Sequence, residues 1–148
     1  MTNKIILWVM FIGPWFTLLF IKKESFKKYL PVTLFTALLV TIVYEIAYTY
    51  KWIKIKETIV PWGNITDVSM AYGAFFITTI WVFYFTFKNL RLYIGANAII
   101  DAFGAWIVYK IYEVIGITHF IISSFTIFLI FATLALISYA FQVWYEKE

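Results

Sequence analysis

Apolar residues in this chain arrive in long blocks, not in the short alternations of a soluble fold. Five blocks cover about 5–21, 29–50, 67–87, 92–112 and 120–144. Each approaches the roughly 20 residues that a helix needs to cross about 30 Å of hydrocarbon. The pattern predicts an all-α, polytopic transmembrane helix bundle of five spans, with 1–148 forming a single domain.

The polar residues between blocks define the connections. Lys22-Lys23-Glu24-Ser25-Phe26-Lys27-Lys28 reads as a short cationic loop, Lys88 to Arg91 as a tight turn, and Glu113 to His119 as another short loop. Gly13-Pro14 predicts a kink in the first span, because proline removes a backbone bond and crowds the preceding turn. Lys4 and the run after it resemble a signal peptide. No small-x-small cleavage site follows, so the run is read as a retained anchor. The second span is expected to start near Tyr29, with Pro31 in its first turn.

Residues 51–66 form the longest connection. Ile53 and Ile55 alternate there with Lys54 and Lys56, which predicts an extended or interfacial segment bracketed by Trp52 and Trp62. Asn64 or Thr66 is a candidate N-cap for the third span, with Asp67 favourably placed in the first turn. Ser69 and Gly73 form a small-x-x-x-small pair that lets a neighbouring helix approach closely. Small residues recur at Gly95, Ala98, Ala102 and Gly104 in the fourth span, and small and hydroxyl residues at Ser123, Ser124, Ala132, Ala135 and Ser138 in the fifth.

Composition agrees with a lipid solvent. The chain is 64% hydrophobic and 14% charged, against about 45–50% and about 25% in soluble domains. One small domain could not bury that excess in its own core. The absence of cysteine excludes disulfides and thiol chemistry. The net charge of +4 lies in short loops and serves orientation, not nucleic-acid binding. Placing Lys22, Lys23, Lys27, Lys28, Lys88, Arg91 and Lys147 inside gives seven cytoplasmic cations. The reverse gives five: Lys4, Lys51, Lys54, Lys56 and Lys110. The N-terminus is therefore expected outside and the C-terminus in the cytoplasm.

Charge in hydrocarbon is costly, so Glu45, Asp101 and Lys110 ask for a reason. At about 1.5 Å per residue they sit roughly 21, 14 and 27 Å above the inner edge. Glu45 and Lys110 are close enough in depth to form a structural ion pair, unless Lys110 snorkels to the outer headgroups. Asp101 has no basic residue at its depth. Asn97, four residues earlier, shares its face. Two readings stand for this pair: a hydrogen-bonded structural unit completed by Tyr or Thr hydroxyls, or a proton or cation site in the bundle centre. The candidate intramembrane polar site is thus Glu45, Asn97, Asp101 and Lys110. His119 is read as an interfacial side chain, and no cofactor or metal is expected.

Lys27 to Phe35, the Tyr44-Glu45 pair, Tyr48 to Trp52, and Asn64 to Val68 together resemble an uncharacterised family. Its members are small, aromatic-rich, roughly five-span integral membrane proteins of Bacillus-like spore-forming Firmicutes. The resemblance implies an all-helical bundle in a bacterial cytoplasmic membrane, with the spore membrane as one setting. It implies no activity.

Three function classes follow. The leading expectation is a non-enzymatic membrane component acting through association with lipid, a second copy or another membrane protein. The alternative is a small oligomeric channel or proton- or cation-coupled transporter using Asp101 and Glu45. The third is an intramembrane enzyme, for which Asp67 and Asp101 are the carboxylates that could meet. No phosphate loop, nucleophile elbow or paired histidines support it.

Overall fold

The computed structural model describes residues 2–60, 65, 66 and 68–147. Trp62, Asn64 and Asp67, with the anchor, cap and carboxylate roles suggested for them, lie outside these residues. The chain is 81% helix, as the apolar blocks predict. Helix α1 (Thr2–Phe16) runs into a tight 3-10 turn at Thr17–Phe20, and α2 spans Lys23–Thr49. Strand β1 (Ile53–Ile55) precedes a widened π-type turn, Met70–Ala74, which opens α3 (Phe75–Thr86). Helix α4 (Leu90–Phe103), a second π-type segment (Gly104–Val108) and α5 (Tyr109–Val114) make one rod. Strand β2 (Thr118–Phe120) and α6 (Ser124–Lys147) complete the order.

Four of these rods are long and apolar enough to cross a bilayer: Asn3–Phe20, Lys23–Thr49, Leu90–Val114 and Ser124–Lys147. The third block differs. Its apolar helix, Met70–Thr86, has 17 residues, or about 25 Å at the α-helical rise.

The outward faces explain why water does not suit this fold. Leu34, Leu38, Ile42 and Ile46, one turn apart along α2, are all exposed. The buried face of the same helix carries Thr33, Thr36, Ala37, Val40, Tyr44 and Ala47. A water-facing helix has the opposite polarity, so this is a membrane-associated protein with its apolar side turned outward.

Local chemistry sets the rod ends. Asn89 caps α4, its side-chain oxygen accepting from Leu92 N at 3.2 Å. Ser123 does the same for α6 through Thr126 N at 3.3 Å. Helices α2 and α5 stop alike, each with a left-handed residue closing the last turn. In α5 this is Gly116 (φ 85°), followed by Ile117 N donating to Tyr112 O at 2.9 Å. In α2 it is Lys51 (φ 58°), followed by Trp52 N donating to Ala47 O at 2.8 Å. Both segments then enter the two-stranded antiparallel ribbon, where Lys54 faces His119. The alternating Ile-Lys segment is therefore extended, as its pattern predicts.

Some boundaries move. Most of the cationic segment expected as a loop is the first turn and a half of α2, so Pro31 lies two turns inside the helix. The fifth block begins its helix at Ser124, because Thr118–Phe120 pairs with β1 instead. Pro14 lies near the end of α1, and Thr17 Oγ1 donates to the Pro14 carbonyl at 2.6 Å as the helix tightens.

Candidate functional site

Helix α4 carries Tyr93, Asn97 and Asp101 at four-residue spacing, and this repeat makes them one stripe. The Tyr93 ring is wedged between Phe83 and Tyr139, with centroids 5.0 and 4.9 Å away. Its hydroxyl donates to the Ala135 carbonyl of α6 at 2.8 Å. One turn on, Asn97 Nδ2 donates to Tyr93 O at 2.9 Å. One further turn brings Asp101, 6% exposed, with Oδ2 buried and without a hydrogen-bond partner. Asp101 is about halfway along the 25-residue rod, one turn before its π-type segment.

These residues face a cavity of about 220 Å³. Thr78 and Thr79 of α3 line it, their hydroxyls donating to Ala74 O at 2.6 Å and Phe75 O at 2.9 Å. Thr36 of α2 and Ser138 of α6 line it as a hydroxyl pair 2.6 Å apart. Carbon supplies most of the remaining wall, including Met10, Phe75, Phe83, Phe103 and Phe131. Among the described residues that line it there is no Lys, Arg or His. Ile100 and Phe103 at the rim are exposed, so the cavity reaches the side of the bundle at the height of Asp101. The two π-type segments contribute Met70, Ala74, Gly104 and Val108 to the wall. Widened turns of this kind concentrate at functional sites.

The four sequence candidates divide into two pairs. Asn97 and Asp101 meet at the cavity, although Asn97 bonds back to Tyr93 and not to Asp101. Glu45 and Lys110 are both exposed and form no ion pair. Among the described residues the ion pairs are Lys28–Glu146 at 3.0 Å and Glu113–His119 at 3.4 Å. Depth alone had suggested the Glu45–Lys110 contact. Each residue instead lies about one turn from a helix end, on an outward face, Lys110 beside Trp106 and Val114. That geometry suits snorkelling to the headgroups.

Thr36, Thr78, Thr79, Tyr93 and Met10 were missed as individual wall residues. The i, i+4 repeat could have extended the polar stripe from Asn97 back to Tyr93, and Thr78-Thr79 is a polar break within the third apolar block. Among the described residues no three His, Asp or Glu side chains converge as a metal site.

Among the described residues the arrangement is a membrane-type helix bundle in which a carboxyl with a partnerless oxygen lies at a cavity that opens to the bundle's side. The chain matches no protein-family model, no curated protein and no solved structure.

Proposed function

We propose that this protein holds a small guest inside the bilayer, at Asp101, as a binding or carrier component. One observation carries the reading: Asp101, whose Oδ2 is buried without a hydrogen-bond partner, lines a cavity large enough for several waters or one small molecule. An unsatisfied buried group costs about 1–3 kcal/mol, a cost that a donating guest at Asp101 would relieve. Two of the small residues that favour an association role find other uses. Gly73 receives α1, and Ser138 pairs with Thr36, both within this chain.

The same reading gives the chain five spans. Met70–Thr86 joins the four longer rods, and helical Val68 and Ser69 precede it. The end of the bundle bearing Lys22, Lys23, Lys27, Lys28, Lys88, Arg91 and Lys147 is cytoplasmic, with the N-terminus outside. A bacterial cytoplasmic membrane is the proposed setting, and no reaction is assigned.

Because the chain has no cysteine, single cysteines report directly on the cavity. In proteoliposomes, Asn97→Cys and Gly104→Cys are expected to react with methyl methanethiosulfonate, a small membrane-permeant reagent. Val32→Cys, fully buried in packed side chains, is expected to stay unmodified in the folded protein. Equal protection of all three would return the protein to the association class.

A further inference from the structure

We propose that the guest is a compact lipophilic ammonium cation: an aromatic or short aliphatic body with a charged amine seated against Asp101. This rests on the guest-site reading above and adds a ligand class to it. The first argument is an inventory of protons on five of the lining hydroxyls, Thr36, Thr78, Thr79, Tyr93 and Ser138. Thr36 donates to Val32 O at 2.8 Å, so within the Thr36–Ser138 pair Ser138 is the donor. Thr78, Thr79 and Tyr93 all donate to backbone carbonyls. These side chains therefore offer the cavity lone pairs, and Asp101 lines it with a carboxyl whose Oδ2 has no partner. Asn97 keeps one amide N–H beyond the bond to Tyr93. A wall so rich in acceptors calls for a guest that donates, and an ammonium has donors and no acceptor.

Charge and shape point the same way. Among the described residues no cationic side chain lines the cavity and none pairs with Asp101, and a carboxylate held ionised away from water needs a counter-ion. A cavity of about 150 Å³ accepts benzene. The 220 Å³ here holds such a ring plus a short amino arm. Phe75, Phe103 and Phe131 add aromatic rings to the wall, and such rings attract organic cations. A bare metal ion would instead need several converging oxygens, and most of this wall is carbon. The exposed rim at Ile100 and Phe103 leads to the lipid side, which favours a guest that partitions into the bilayer.

The test uses the full chain in maltoside micelles, with benzylammonium and benzyl alcohol as matched charged and neutral probes read by ligand-observed NMR. Benzylammonium is expected to bind about tenfold tighter or better, equivalent to about 1.4 kcal/mol. Asp101→Asn, nearly identical in shape, is expected to erase that preference. Equal binding of the two probes to the native chain, both blocked by the filling substitution Ala74→Phe, overturns the ammonium class and leaves the guest site intact. Displacement of benzylammonium by sodium but not by N-methylglucamine also overturns it, in favour of an inorganic cation. If neither probe binds, or Ala74→Phe changes nothing, both the ammonium proposal and the guest site fall.

Discussion

One helix crossing in this bundle is solid and a neighbouring stretch is hollow, and a glycine lies at each. Where α1 crosses the start of the third rod, Gly73 brings backbones into contact. A Cβ there would lie 2.5 Å from Met10 O and from Phe11 Cα. Where the fourth rod passes the cavity, Gly104 meets nothing within 4 Å of the same position. Both glycines belong to widened helical turns. In the first, missing atoms let two helices close up. In the second, missing atoms leave room beside Asp101. A small residue in a membrane helix is thus no guide to its role until its neighbour is known.

The largest expected effect tests the solid side. Gly73→Leu forces backbone apart from backbone, and overpacking of that kind costs about 3 kcal/mol or more. Thermal melting in detergent should show the loss, and an unchanged melting temperature would mean that α1 does not sit where described. The hollow side should respond with the opposite sign. Asp101→Leu replaces an unsatisfied carboxyl with an apolar side chain, so it should stabilise the fold by about 1–3 kcal/mol while abolishing binding of a cationic guest. Such a trade marks a site kept for function against stability. Destabilisation by Asp101→Leu would show that the carboxyl has a partner in the native membrane state.

A smaller effect separates polar groups that hold the bundle from those that wait for a ligand. Ser138→Ala breaks the 2.6 Å bond to Thr36 between α6 and α2 and should cost about 1 kcal/mol, the scale of interhelical hydrogen bonds in membranes. The smallest expected effect is none. Glu45→Ala and Lys110→Ala should add to within about 0.5 kcal/mol in a double-mutant cycle, as unconnected sites do. A larger coupling would restore the ion pair that their depths suggest.

Much of the architecture was legible because block length and composition are set by the solvent, and lipid leaves a strong imprint. The extended Ile53–Ile55 segment was legible for the same kind of reason, its alternation. Its partner was not, since Thr118–Phe120 lies far along the chain and its pairing has no local signature. The site was half legible. Asn97 and Asp101 stand out because polar groups are rare in such blocks. Lys110 misled because residue counting gives height along a rod but not the direction a side chain faces. The π-type segment at Gly104–Val108 also shifts the phase of everything beyond it, and no residue type announces such a turn.

The most direct test of the solid-and-hollow account is the melting temperature of Gly104→Leu, measured beside Gly73→Leu under the same conditions. The account predicts that Gly104→Leu melts at or above the native temperature, because the added side chain has a 220 Å³ cavity to fill and removes a flexible glycine from a helix. A loss comparable to that of Gly73→Leu would contradict it, since the fourth rod would then be packed as tightly as the first crossing and no room would remain beside Asp101.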